Sequence, residues 1–72
     1  MVSFTADTAH ERAQSVLAAS PLYPLRMLQV ESQGDALLIR GRVSSYYHKQ
    51  LAQEAVRSVA SGIELINSVH VG

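Results

Sequence analysis

The sequence predicts a small α+β domain with the order α-β-β-α-β, in which two helices pack on one face of a three-stranded mixed sheet. Segments 6–19 and 46–61 carry apolar residues at helical spacing, whereas the segments that follow each of them alternate apolar and polar residues. Strands that alternate have one apolar face, so both helices are expected to cover that face. We expect residues 1–72 to form one domain, with a core between residues 6 and 71.

The first predicted helix covers residues 6–19. Its apolar stripe consists of Ala9, Ala13, Val16 and Leu17. The helix is expected to end at Ser20, because a residue that precedes a proline avoids the α region. The next residues, 20–24, contain both prolines of the chain and are predicted to form a stiff loop.

Two alternating segments predict an antiparallel hairpin. The first strand is expected within 25–32 and the second within 37–43, with Gly34 in the turn, where its positive φ is tolerated. Gly41 falls on the apolar face and is expected to leave room for close packing of a helix. On the outer face we expect an ion pair between Glu31 and the arginines of the second strand. The predicted outer face consists of Met27, Gln29, Glu31, Leu38, Arg40, Arg42 and His70.

The second predicted helix covers residues 46–61. Ser44 and Ser45 are both good N-caps, and Gly62 is suited to the left-handed conformation that ends a helix. Its apolar stripe consists of Leu51, Ala52, Ala55, Val56 and Val59. A last strand at 65–71 is expected to run parallel to the second strand after a right-handed crossover. The sequence leaves open which strand lies beside it.

Composition excludes some classes of function and disfavours others. Six Lys and Arg residues balance six Asp and Glu residues, which argues against nucleic-acid binding and against purely electrostatic docking on membranes. The chain has no cysteine, and its three histidines lack a metal-binding spacing, so we expect no metal and no cofactor. Residues 1–7 lack the pattern of a secretory signal, and no apolar run is long enough to span a bilayer. The compartment stays open: the cytoplasm by default, or the periplasm if the chain is cut from a longer precursor.

Three segments together resemble the BON domain, a bacterial module named for osmotic-stress and nodulation proteins. Residues 28–45 resemble its hairpin motif, "V-x-V, turn glycine, V-x-L-x-G-x-V-x-S". Residues 49–59 resemble its helix, "K-x-x-A-x-x-(I/A)-A-x-x-V", and residues 62–71 resemble its ending, "G-V-x-x-V-x-N-x-(I/L)-x-V". The intervals before Gly41 and before Gly62 are each one residue longer than the motif. The resemblance implies a non-catalytic module that binds phospholipid or a membrane surface, as in envelope-stress proteins.

The most distinctive cluster lies where the second strand meets the second helix. It consists of Arg42, Ser44, Ser45, Tyr46, Tyr47, His48 and Lys49. A helix N-terminus attracts anions, and tyrosines suit a membrane interface, so this cluster is a hypothetical site for lipid phosphate. The alternative is that one tyrosine packs into the core, the other is at the surface, and the charges only solvate the rim. Leu22 and Tyr23, between the prolines, are a second candidate for contact with a membrane or a partner.

The sequence is less consistent with other classes of function. Ser44 or Ser45 near His48 suggests a nucleophile and its base, but the chain has no G-x-S-x-G elbow, so we expect no enzyme. A nucleic-acid-binding domain is the alternative function, opposed by the zero net charge, by the absence of a GXXG loop and by the lack of an aromatic pair on a strand. An open sheet edge also favours a protein partner or self-association.

Overall fold

Three helices and a three-stranded mixed sheet form residues 6–72, the part of the chain that the computed structural model describes. The elements in chain order are α1 Ala6–Ala18, α2 Tyr23–Arg26, β1 Gln29–Gln33, β2 Ala36–Val43, α3 Tyr46–Val59 and β3 Glu64–Val71. The predicted α+β class is confirmed, with one helix more than predicted. Residues 1–5, in which no secretory signal was expected, lie outside the described residues.

The additional helix, α2, replaces the predicted proline loop and the beginning of the predicted first strand. Leu25 N–H donates to Leu22 O at 3.0 Å, and Leu28 N–H donates to Leu25 O at 3.2 Å. Pro24 lies in the first turn of α2, where its missing N–H costs nothing. Leu25 and Leu28 are both buried because a spacing of three residues fits one helical turn. The first strand therefore begins at Gln29 and not at residue 25.

The sheet has the order β1-β2-β3, so β2 is the central strand. β1 runs antiparallel to β2, and β3 runs parallel to β2, as predicted. The structure also resolves the neighbour that the sequence left open, since β3 pairs with β2. Gln29 lies opposite Arg40, and Val71 lies opposite Val43. The beginning of β1 and the ends of β2 and β3 therefore meet at one end of the sheet.

The core lies between one face of the sheet and the helices α1 and α3. Its fully buried large side chains are Leu17, Leu28, Leu37, Ile39, Val56 and Val69. The predicted outer-face residues on the strands are exposed or half-buried, but Met27 precedes β1 and belongs to the end of α2. Arg40 Nη1 lies 3.1 Å from Glu31 Oε2, so the predicted outer-face ion pair forms with Arg40.

Gly41 makes room for a side chain of the segment before β1, and not for a helix as predicted. Its φ is 138°, a backbone conformation that residues with a Cβ rarely adopt. A Cβ built on Gly41 would lie 2.6 Å from Leu28 Cδ2. The absence of a side chain thus lets Leu28 enter the core beside β2.

The boundaries of α3 confirm one of the two predicted caps. Ser45 is the N-cap, and its Oγ accepts a hydrogen bond from His48 N–H at 3.2 Å. Ser44 precedes the cap and is exposed. The helix ends at Val59, earlier than predicted, and Gly62 has a φ of 85° in the turn that leads to β3. Positive φ at Gly62 is therefore required by this turn.

Candidate functional site at the tyrosine tip

All the large apolar side chains that are exposed in the described part of the chain lie at one end of the molecule. They are Tyr23, Met27, Tyr46, Tyr47 and Val71, with exposed fractions of 63%, 61%, 62%, 65% and 42%. We call these five residues the tyrosine tip. The tip includes every tyrosine of the chain. Exposed apolar side chains gathered in one place are more informative than the same number scattered over a surface.

The topology explains why residues so far apart in sequence meet. Val71 is the register neighbour of Val43, the last residue of β2, and Gly72 N–H donates to Val43 O at 3.0 Å. Helix α3 begins three residues after Val43, which brings its first turn beside the end of β3. Leu28 contacts Gly41, so α2 lies beside the same end of β2. The tip is thus formed by α2, the first turn of α3 and the end of β3.

Three cations accompany the tip. The Arg26 guanidinium carbon lies 5.3 Å from the centroid of the Tyr23 ring, a cation–π contact between two exposed side chains. Arg42 is exposed near the end of β2 and is the register neighbour of His70. Lys49 is half-buried, one turn into α3. Cations and amphipathic aromatic rings therefore share this end.

Charge is segregated along the strands although the net charge is zero. Residues 12–30, 36–53 and 65–72, which include every segment of the tip, contain no Asp or Glu. Asp35 lies in the turn between β1 and β2, and Glu64 begins β3, so both lie at the opposite end of the sheet. The tip is consequently basic, although the net charge of the whole chain is zero.

The structure shows how several residues of the predicted cluster at the start of α3 are placed. Both Tyr46 and Tyr47 are exposed, so the alternative in which one of them packs into the core is wrong. Ser45 Oγ accepts from the main-chain N–H of His48, which is a helix cap and not a nucleophile–base contact. The His48 and Tyr47 rings lie 6.0 Å apart between centroids. His48 Nδ1 is buried without a hydrogen-bond partner among the described atoms.

Tyr23, Arg26 and Val71 extend the site beyond the cluster predicted from sequence. Leu22, which was proposed together with Tyr23, is half-buried and packs against the core. Tyr23 alone thus remains from that second candidate. The long stretches without acidic residues are a sequence signal for the basic tip, but only the sheet register shows that they meet.

Neither a metal centre nor a membrane span is found in the described part of the chain. Among residues 6–72, no three His, Asp or Glu side chains are grouped so that they could hold a metal ion. None of the described helices is both long enough and apolar enough to cross a bilayer.

No protein-family model matches the chain, and no curated protein matches it. The resemblance to the BON domain therefore depends on the three quoted segments. The structure adds one physical observation about them. The three glycines within these segments, Gly34, Gly41 and Gly62, all have positive φ.

Proposed function

We propose that this chain is a non-catalytic binding module of the BON type, whose tyrosine tip binds the surface of an anionic phospholipid membrane. The observation that carries the proposal is the coincidence of two properties at one end of the molecule. Every exposed large apolar side chain of the described residues lies there, and so do three cations without an acidic neighbour in the same segments.

Tyrosine has an apolar ring and a polar tip, and it accumulates where hydrocarbon meets lipid headgroups. Met27 and Val71 add purely apolar contact beside the three rings. A Lys or Arg near an anionic membrane contributes about 1 kcal/mol each, so Arg26, Arg42 and Lys49 together contribute about 3 kcal/mol, or about a hundredfold in affinity. Binding of this strength is reversible and depends on salt.

The N-terminus of α3 offers main-chain donors for a lipid phosphate. The first N–H groups of a helix have no acceptor within the helix, and Ser45 Oγ accepts only from His48 N–H among them. The N–H groups of Tyr46 and Tyr47 therefore stay free to bind an anion. Arg42 precedes this N-terminus at the end of β2, and Lys49 follows it one turn into α3.

The resemblance to the BON domain supports the same class of function. A glycine with positive φ cannot be replaced without strain, so the three glycines of the quoted segments have a structural reason to be glycine.

Cosedimentation with vesicles tests the proposal. We expect the protein to bind vesicles that contain phosphatidylglycerol and not vesicles of phosphatidylcholine alone. The double variant Arg42→Ala/Lys49→Ala is expected to bind about thirtyfold more weakly at low salt, because two cations are lost. Replacing both Tyr46 and Tyr47 by serine is expected to weaken binding at high salt as well.

Arg57→Ala is the matched control, because it removes one cation from the last turn of α3, far from the tip. Equal affinity of Arg57→Ala and Arg42→Ala/Lys49→Ala would contradict the proposal, as would equal binding to both kinds of vesicle. Circular dichroism of each variant checks that the fold is retained, which we expect because Tyr46 and Tyr47 are exposed.

Single-stranded nucleic acid is the second candidate ligand, because a basic surface with three aromatic rings also suits base stacking. The tyrosines lie on the tip and not on the outer face of the sheet. Met27 and Val71, which contribute nothing to base stacking, favour lipid. A gel shift with an oligonucleotide that is abolished by Arg42→Ala/Lys49→Ala, without vesicle binding by the unmodified protein, would select nucleic acid instead.

A further inference from the structure

The two edges of the sheet differ in how their main-chain groups are satisfied. On the edge of β1, the Gln14 side-chain amide donates to Leu28 O at 3.2 Å and accepts from Val30 N–H at 2.9 Å. His10 Nε2 lies 2.6 Å from Val30 O and donates to it. At residues 28 and 30, side chains of α1 thus take the positions that a neighbouring strand would occupy, so this part of the edge is closed to a partner.

The other edge, on β3, is open along most of its length. Gly72 N–H faces β2, since it donates to Val43 O. Because successive residues of a strand direct their main-chain groups to opposite sides, those of residues 65, 67, 69 and 71 point away from β2. Within the described residues, the hydrogen bond that reaches this row is the one from Val69 N–H to Asn67 Oδ1, at 3.2 Å. The remaining groups are a template for a further strand.

A groove of about 360 Å³ runs between this edge and α3. Its wall is formed by one stripe of α3 together with a residue of β3. The lining residues are Tyr46, Lys49, Gln50, Gln53, Glu54, Arg57 and Asn67. The Asn67 side chain fixes the floor of the groove, because its Nδ2 donates to Lys49 O at 3.0 Å and to Gln53 Oε1 at 3.2 Å.

The position of α3 decides which kind of partner fits. α3 contacts both β2 and β3, and Asn67 binds it directly, so the helix covers the edge strand. α3 lies over the β2–β3 side of the sheet, so pairing two β3 strands would place both copies of α3 side by side on the same face, where packed helices need about 8–10 Å between their axes. A second copy would thus have to fit its own α3 beside this groove. The groove accommodates an extended segment that carries no helix of its own.

The charges on the α3 stripe define the chemistry of that segment. Lys49, Glu54 and Arg57 present plus, minus and plus in this order, and Glu54 forms no ion pair with Arg57 among the described residues. At 1.5 Å per residue, Lys49 and Arg57 are about 12 Å apart along the helix. Residues i and i+4 on one face of a strand are about 13.5 Å apart, which is nearly the same distance.

We propose that the β3 edge binds an extended peptide of another protein as a fourth strand. The peptide carries acidic side chains at positions i and i+4, opposite Lys49 and Arg57, and a basic side chain at i+2, opposite Glu54. Because this order of charges is the same from either end of the peptide, a parallel or an antiparallel strand can present it. The membrane is the proposed partner of the tip, and the groove shares only Tyr46 and Lys49 with the surface that it would contact.

A nuclear magnetic resonance titration with two synthetic peptides tests the proposal. One peptide alternates Glu, Lys and Glu with threonine, and the other alternates Lys, Glu and Lys with threonine. We expect the first to bind about tenfold more tightly, since three side-chain pairs change from repulsive to attractive. The amide signals of residues 65–71 are expected to shift, and those of β1 are not.

Charge reversal in the protein provides the decisive comparison. The variant Glu54→Lys/Arg57→Glu is expected to lose the preference for the first peptide or to reverse it. Arg42→Glu, which alters the tip and not the groove, is expected to leave peptide binding unchanged, so failure here is distinguishable from failure of the membrane proposal. Equal affinity of both peptides, or shifts confined to the tip, would overturn the inference. A sedimentation mass that rises to twice 7.8 kDa with concentration would overturn it as well, because the edge would then be taken by a second copy.

Discussion

Gly41 lies where β2 passes closest to the segment before β1, and its replacement by alanine measures how tightly that junction is packed. Its φ of 138° costs a residue with a Cβ about 1–3 kcal/mol. The new Cβ would also lie 2.6 Å from Leu28 Cδ2, and Leu28 is only 1% exposed, so it has no free space to enter. Overpacking of this kind adds about 1–3 kcal/mol, so the free energy of unfolding is expected to fall by about 2–6 kcal/mol.

Urea and thermal denaturation measure this change directly. For a domain of this size, a loss of 1 kcal/mol lowers Tm by about 4–8 °C, so Gly41→Ala is expected to lower Tm by at least about 8 °C. Gly34→Ala is the matched control, because Gly34 also has positive φ, at 63°, but no atom lies within 4 Å of its added Cβ. That control is expected to lose about 1–2 kcal/mol from backbone strain alone.

A double-mutant cycle with Leu28→Ala separates strain from overpacking. Leu28→Ala alone is expected to cost about 2–5 kcal/mol, since it empties a buried position. In that background, Gly41→Ala meets no Cδ2 atom and is expected to cost only the strain, which gives a coupling of about 1–3 kcal/mol. The close approach of Leu28 is not what requires glycine if Gly41→Ala and Gly34→Ala lower the free energy of unfolding equally, both in the unmodified protein and in the Leu28→Ala variant.

Two further substitutions test the cap of α3 and the closed edge of β1. Ser45→Ala is expected to lower stability by about 1 kcal/mol in urea denaturation, whereas Ser44→Ala, which removes no cap, is expected to change it little. Gln14→Ala is expected to lower the free energy of unfolding by about 1–3 kcal/mol. It is also expected to speed hydrogen exchange at the Val30 amide, because this amide donates to Gln14 Oε1 and would lose its acceptor. An unchanged exchange rate at Val30, or equal effects of the two serine substitutions, would contradict these assignments.

Periodicity predicted the two long helices, the hairpin and the third strand because each of these elements buries one continuous face. The parallel direction of the third strand followed from the crossover through the second long helix. Periodicity failed at Leu25 and Leu28. A single helical turn and a short alternating strand both place apolar residues only a few positions apart, so their spacing does not distinguish the two. A turn of this length has too few residues to establish a period. Its identity depends on the tertiary contact between Leu28 and Gly41, which no local pattern contains.

The candidate site shows the same division between local and tertiary information. Tyr46 and Tyr47 adjoin a serine cap in sequence, so their position at a helix N-terminus was predictable. Tyr23 and Val71 join them only through the pairing of β3 with β2 and the packing of α2. The role of Gln14 was not predicted either, because a polar residue on a helix gives no sign that it substitutes for a strand.

The separation of charge along β3 has a consequence for how the protein behaves near a charged surface. From Glu64 to Val71 the strand rises about 23 Å, whereas ionic interactions at physiological salt are screened over about 8 Å. The carboxylates at one end of the sheet therefore contribute almost nothing to the electrostatic potential at a headgroup layer that contacts the tip at the other end. The isoelectric point of about 6.8 describes migration in a bulk field, but the local potential at the contact decides adsorption.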